Sequence, residues 1–218
     1  MLTPTPPYTK RITFLKTKEE YGLFSNMAGG YPIHVPTEYG EVINFISSSE
    51  ALYQALRFPS FYLVQEEVLE APNGFVAKLV AKKYLDRTRR DWDDVRVQTM
   101  RLAVLLKSLS HPIFQEKLQQ TGPETEIVEV SHKDPFWGMV PQQKGDYSNL
   151  KGENTLGKIL MDLRDLGNDG FYQKFFVSVE NQGGPYTLLG RDIVVDPSFY
   201  LNPRNRPSSG LELVSAPR

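Results

Sequence analysis

The spacing of apolar positions changes along the chain, and the changes divide it into elements. Near the N-terminus, Arg11–Leu15, Tyr31–Val35 and Glu41–Phe45 are short runs rich in β-branched and aromatic residues. Turn residues such as Ala28-Gly29-Gly30 separate them, which predicts three strands. The period then lengthens. Ser47-Ser48-Ser49-Glu50 reads as a capping box, with Ser47 as N-cap and Glu50 at the third helical position. Ala51, Leu52, Ala55 and Leu56 form the apolar stripe behind it.

Further helices are predicted over Phe61–Glu70, stopped by Pro72-Asn73-Gly74, and over Gly74–Asp86, with Phe75, Val76, Leu79 and Val80 inward. Asp91 reads as the N-cap of a long helix whose stripe is Trp92, Val95, Leu102, Ala103, Leu106 and Leu109. A short helix over Pro112–Gln120 ends at Thr121-Gly122. Glu126–Val130 alternates like a half-buried strand, and residues 141–151 read as a polar loop. Asn154–Leu166 is helical, with Gly167 as its stop. Phe175–Val179, Tyr186–Leu189 and Ile193–Val195 read as further strands. Residues 1–9 and 197–218 are rich in Pro with Thr, Ser or Asn, and are expected to be a flexible start and a disordered tail.

Composition removes whole classes of chemistry. The 218 residues contain no cysteine, which excludes disulfides, thiolate zinc sites, iron–sulfur clusters and a cysteine nucleophile. The three histidines, His34, His111 and His132, form no metal motif. No apolar run is long enough to span a membrane, and the N-terminus lacks a signal-peptide pattern, so a cytoplasmic protein is expected. The formal charge of −1 excludes a broadly basic coat for nucleic acid. It conceals residues 78–107, where nine Lys and Arg face four Asp, a net of +5. Residues 112–136 carry five Glu and Asp against two Lys.

Four clusters could carry chemistry, and each has a plain structural reading beside the functional one. Phe24-Ser25-Asn26 could bond a ribose or phosphate, or form a turn held by the Asn side chain. Glu50 could merely cap its helix. A carboxylate held ionised and oriented at a helix start also suits a general base, or the stabilisation of an oxocarbenium ion. Tyr53, Gln54 and Arg57 follow it on the same helix. The basic segment with Trp92 could bind a phosphate backbone and stack a base, though a solvated helix face around a core Trp is the commoner arrangement. Asp134-Pro135-Phe136-Trp137-Gly138, followed by Gly152-Glu153-Asn154-Thr155-Leu156-Gly157, brings a carboxylate, a Trp and close-approach glycines near a helix start. The alternative is a core Trp and ordinary turns. No phosphate loop, dinucleotide fingerprint or serine-hydrolase elbow occurs.

Taken in order, these pieces resemble the YbiA-like or NADAR (NAD and ADP-ribose associated) family. The resemblance rests on Phe24-Ser25-Asn26, Ser49-Glu50-Ala51-Leu52-Tyr53-Gln54-Ala55-Leu56-Arg57-Phe58, Ala77-Lys78, Arg90-Asp91-Trp92, Met100 and Lys107. It continues through Thr121-Gly122, Asp134–Gly138, Gly152-x-Asn154-x-Leu156-Gly157, Leu160-Met161 and Arg164, covering roughly residues 12–167. The chain departs from a common form of the pattern at Ala51, where many relatives carry His, at Leu56 in place of Gln, and at Ala81 in place of Gly.

The resemblance implies a single, mainly helical α+β domain over residues 10–167 with a small β-sheet; residues 168–196 lie outside it, and their aromatic and β-branched runs predict a β extension. The resemblance implies a cofactor-free and metal-free N-glycosidase that cleaves a ribose–amine bond. The expected substrate is ADP-ribosylated guanine in DNA, with a cognate ADP-ribosyltransferase toxin as counterpart. The alternatives are a nucleotide-like metabolite, such as an early riboflavin-pathway intermediate, or a non-catalytic ADP-ribose reader. The family's catalytic residues carry over to Glu50, Lys78 and Asp134. Lys78 would protonate the leaving group or form a Schiff base with the opened ribose. Substrate binding carries over to Phe24, Ser25, Asn26, Tyr53, Gln54, Trp92, Trp137, Gly138, Asn154 and Gly157. A monomer with no membrane association is expected.

Overall fold

The computed structural model describes residues 8–180 and 186–201. Its centre is helix α1 (Ser49–Ala55), all seven residues of which are buried. Helix α2 (Tyr62–Leu69), helix α3 (Gly74–Ala81) and the long helix α4 (Trp92–Ser110) pack around α1. The second half of α4, from Thr99 onward, is buried at nearly every position, which its mixed sequence does not announce. Helix α5 (Pro112–Gln119) and helix α6 (Thr155–Glu180) close the far side of α4.

Among the described residues the β part consists of four two-stranded pairs. Strand β1 (Lys10–Phe14) runs parallel to β4 (Thr125–Glu129), joining segments more than a hundred residues apart. β2 (Ile33–Pro36) pairs antiparallel with β3 (Val42–Ile46). Residues 141–151, expected to be a loop, form an antiparallel hairpin of β5 (Val140–Gln143) and β6 (Asp146–Lys151). Its strands are mostly polar and exposed, so no alternation betrays them, and Gly145 at φ 82° makes the turn.

Other expectations are corrected at element boundaries. The N-cap of α1 is Ser48, whose hydroxyl accepts the N–H of Ala51 at 3.2 Å. Ser47 instead donates to the carbonyl of Ala71 at 3.1 Å. No capping box forms, so the Glu50 side chain is released for another use. Helix α3 is capped by Asn73, which accepts the N–H of Val76, and gives way to a 3-10 stretch over Lys82–Arg87. Asp91 stands before α4 but makes no cap bond, because Arg89 takes both of its oxygens at 2.7 and 2.8 Å.

Gly167 breaks α6 at φ 66°, as a helix stop would. The chain then resumes as helix, so Phe175–Val179 is helical rather than a strand. Local β propensity is overridden here by packing, with Phe171 buried in the main core. Beyond it lie a short hairpin of β7 (Thr187–Leu188) and β8 (Arg191–Asp192), and helix α7 (Pro197–Leu201). Ile193 makes a single bridge with Thr37 instead of starting a strand over 193–195. Leu188 and Tyr200 join the same core as α1 and α4. Buried Gln65 of α2 fastens the hairpin, donating to the carbonyl of Thr187 and accepting the N–H of Leu189. Part of the segment expected to be a disordered tail, 197–201, is thus helical. Residues 202–218 and 1–7 lie outside the described residues. Among the described residues no helix is long and apolar enough to cross a membrane.

Candidate active site

A half-open cavity of about 620 Å³ lies where five chain segments converge. Ser25 and Asn26 come from the loop after the 3-10 turn Gly22–Phe24. Glu50, Tyr53 and Gln54 come from α1, Lys78 from α3, Trp92 from the start of α4, and Asp134 and Trp137 from the loop after β4. Nine of the thirteen residues singled out in the sequence therefore line one cavity, although they span more than a hundred positions.

The placement of Glu50 follows from close packing at the start of α1. Its backbone N–H donates to the carbonyl of Asn26 at 3.1 Å, tying the Ser25-Asn26 loop to the helix. Gly74, the first residue of α3, sits against it. A Cβ there would lie 2.9 Å from Glu50 Cβ, 2.9 Å from Ser48 Oγ and 3.0 Å from Met27 Cα. Only a glycine permits the approach that brings Lys78, one turn on, to the same cavity.

The Glu50 carboxyl is deeply buried, which pushes its pKa up. Lys78 and a 2.8 Å hydrogen bond donated by Gln54 work against that shift, and the negative charge of Asp134 adds to it. Asp134 is oriented by its own turn, one oxygen accepting the N–H groups of Phe136 and Trp137 at 3.1 and 3.0 Å.

An aromatic wall completes the cavity. The Tyr53 ring lies 5.0 Å from Trp92 and meets Trp137 edge-on at 5.6 Å. Burial and the charge of Glu50 hold the Tyr53 hydroxyl well above its ordinary pKa, so it stays a neutral donor. Arg57 lies over Trp92 at 5.1 Å.

Four expected substrate contacts do not line the cavity. Phe24 is 1% exposed, within a core cluster with Phe14, Tyr21 and Phe114. The Asn154 side chain is spent on strand β4, donating to the carbonyl of Ile127 at 2.8 Å and accepting the N–H of Glu129 at 3.2 Å. Gly157 and Gly138 pack on the same strand. A Cβ would lie 2.1 Å from the carbonyl oxygen of Ile127 in the first case and 2.6 Å from that of Glu129 in the second. All three shape the strand end beneath the cavity.

Residues given no site role beforehand also face the cavity, including Met100, Glu129 and, from the basic segment, Arg96. The Sδ of Met100 accepts a bond from Asn26 Nδ2 at 2.9 Å. Elsewhere in the basic segment Lys83 pairs with Glu67, Arg89 with Asp91, and Arg101 with Asp162. Lys107 is buried, its Nζ donating to the carbonyls of Leu23 and Ser25 at 2.6 and 3.2 Å. A solvated or structural role accounts for these, and only Lys78 and Arg96 of the nine cations line the cavity. Among the described residues no group of three or more His, Asp or Glu could hold a metal ion.

The cavity brings together ionisable carboxyls, a lysine and aromatic rings, the groups that acid–base chemistry uses. The comparisons agree with that class. The sequence profile of the NADAR domain matches residues 13–166, and the chain belongs to that family. It is 37% identical over 154 residues to the riboflavin biosynthesis protein VVA0006 of Vibrio vulnificus, covering 71% of this chain but only 38% of that longer protein. It is 35% identical over 156 residues to the N-glycosidase Npun_R5314 of Nostoc punctiforme, covering 71% of this chain and 90% of the relative. The solution structure of Escherichia coli YbiA superposes with a TM-score of 0.57 at 31% identity, over 72% of this chain and 83% of YbiA. The E. coli protein is named an N-glycosidase.

Proposed function

We propose that the protein is an N-glycosyl hydrolase that cleaves the bond between a ribose and an exocyclic amine, with ADP-ribosylated guanine as its first substrate. The observation that carries the class is the meeting of Glu50, Lys78 and Asp134 beneath the Tyr53, Trp92 and Trp137 rings in one cavity. As the C1′–N bond lengthens, positive charge grows on the ribose, and Glu50 and Asp134 supply the opposing negative charge. Glu50 also takes a proton from the attacking water. Lys78 offsets the mutual repulsion of the two carboxylates. The aromatic rings hold the base, and Arg57 and Arg96 offer anchors for phosphate.

The substrate preference rests on shape. A cavity of about 620 Å³ that is half open can take a modified base still joined to a strand. A second reading, hydrolysis of a phosphorylated ribosylamino-pyrimidinone, is favoured by the names of two relatives. These are the Vibrio vulnificus protein and the chloroplastic riboflavin biosynthesis protein PYRR of Zea mays, which is 29% identical over 169 residues. Parallel incubations with an ADP-ribosylated guanine oligonucleotide and with the pyrimidinone phosphate test both. Free ADP-ribose from the first supports the proposal, and turnover of the second alone supports the alternative. Binding of ADP-ribose with turnover of neither marks a non-catalytic reader. A counterpart toxin is an extension of the same proposal, tested by whether the protein restores growth to cells carrying a guanine-directed ADP-ribosyltransferase.

A further inference from the structure

Glu129, at the last position of β4, is a third carboxyl on the wall of the proposed catalytic cavity, alongside Glu50 and Asp134. Its main chain is fixed from three sides. Asn154 accepts its N–H, Met139 donates to its carbonyl at 2.8 Å, and Gly138 packs on that carbonyl so closely that no side chain would fit. Asn154 itself is held at φ 52°, an uncommon conformation that here lets one side chain serve two points on the strand. Two motif residues, Gly138 and Asn154, therefore converge on a single strand end, and the side chain they present to the cavity is Glu129. Its carboxyl has no hydrogen-bond partner or ion pair within 4.0 Å among the described residues.

Resting on the N-glycosidase reading above, we propose that Glu129 is a catalytic carboxyl of this site, the one that enters the reaction protonated and donates its proton to the departing amine. The division of labour follows from surroundings. Burial raises the Glu50 carboxyl, as does the charge of Asp134, but Lys78 and a donor in Gln54 both favour its ionised form. Glu129 has only Lys78 in its favour, and it faces the negative charges of Glu50 and Asp134. Burial has the largest effect and, with that repulsion, holds the carboxyl up at about 7. Tyr53, Arg57, Asp93, Arg96, His132 and Lys133 are the other ionisable groups on the cavity wall. Burial raises both carboxyls, and the hydrogen bond from Gln54, which Glu129 lacks, distinguishes the one suited to be base from the one suited to be acid.

The step balances. The C1′–N bond breaks with its electron pair going to nitrogen, and the Glu129 proton goes to the same atom, releasing a neutral amine. A water oxygen bonds to C1′ and loses a proton to Glu50. Transfer of that proton from Glu50 to Glu129 through solvent restores the site, so the net reaction consumes one water.

The test is the pH profile of kcat/KM for wild type and Glu129→Gln on whichever N-ribosyl amine the wild type cleaves. The wild-type rate should fall above pH about 7. Glu129→Gln should lose roughly 10²–10⁴-fold and lack the falling limb. A substrate with a more acidic leaving amine needs less protonation and should restore Glu129→Gln to within about tenfold of wild type. Circular dichroism checks folding of the variant. Titration of the 13C-labelled Glu129 carboxyl in the wild-type protein gives a reading that no folding defect can affect. A Glu129 already ionised at pH 5, or a Glu129→Gln variant that keeps both rate and falling limb, overturns the assignment. A wild-type protein that cleaves no N-ribosyl amine overturns instead the N-glycosidase reading beneath it.

Discussion

Gln54 donates its side-chain N–H to Glu50 Oε1 at 2.8 Å, one helical turn along the buried helix α1. Burial raises the pKa of this carboxyl, and the bond works against that shift by favouring the ionised form. Gln54→Leu removes the donor without opening the core. A hydrogen bond to a charged group contributes about 1.5–3 kcal/mol. The rising acid limb of kcat/KM should therefore move to higher pH by roughly a unit or more. Measured profiles with superimposable acid limbs would show that Glu50 does not act as an ionised base.

Gly74 sets the distance between the starts of α1 and α3. Gly74→Ala places a methyl group against Glu50 Cβ and the Met27 main chain, neither of which can swing aside. Overpacking of this kind costs roughly 1–3 kcal/mol. Activity should fall further than stability, because the displaced groups are Glu50 and Lys78. Urea unfolding and kcat, measured on the same preparation, separate the two effects. A variant with lowered stability and unchanged kcat would contradict the positioning role.

Lys107 is 1% exposed and lies over the Tyr31 and Phe114 rings at 5.1 and 4.9 Å. Burial lowers its pKa from 10.5 to about 7. Between those values the unfolded chain binds one more proton than the folded one, so stability rises with pH across that window. Below pH 7 both states are protonated and the full cost is present. The difference in unfolding free energy between wild type and Lys107→Met should thus climb from pH 7 to 10 by about 1.4 kcal/mol per pH unit. Parallel curves would show that the ammonium stays charged on the carbonyls of Leu23 and Ser25.

Arg96 lies over the Phe136 ring at 4.1 Å, and its Nε has no hydrogen-bond partner among the described residues. Its contact with Asp93 is 3.7 Å long, and that carboxylate is 89% exposed. A cavity-lining guanidinium so weakly engaged is available to an anion. Arg96→Met should raise KM for a phosphorylated substrate by roughly tenfold, with kcat within about threefold of wild type. A matching change with the dephosphorylated substrate would show that the loss is one of packing instead.

The helical half of the fold was legible because it has a period. The stripes behind Glu50 and Trp92 led to α1 and α4 within a residue or two. The polar hairpin β5–β6 was not legible, since strands with two wet faces leave no alternation. Phe175–Val179 read as a strand because residue type alone cannot register that a helix is being continued from Phe171. At the site, side chains with conspicuous chemistry were legible, and Glu50, Lys78 and Asp134 do meet in one cavity. What sequence could not distinguish was a residue that faces the cavity from one that shapes it. Asn154 and Gly157 stand out equally in either role, and only their bonds and contacts to β4 separate the two. Glu129 sat in an alternating strand as an ordinary polar position, and nothing local marked it as cavity-facing. Its one signal was position, five residues before Asp134 in the same acidic stretch.

The most direct test of the central claim is product analysis after incubating wild type and Glu50→Gln with an ADP-ribosylated guanine oligonucleotide. The account predicts free ADP-ribose and an oligonucleotide restored to unmodified guanine with the wild type. It predicts a loss of roughly 10²-fold or more with Glu50→Gln, whose fold is retained. Equal release by the two proteins would contradict it.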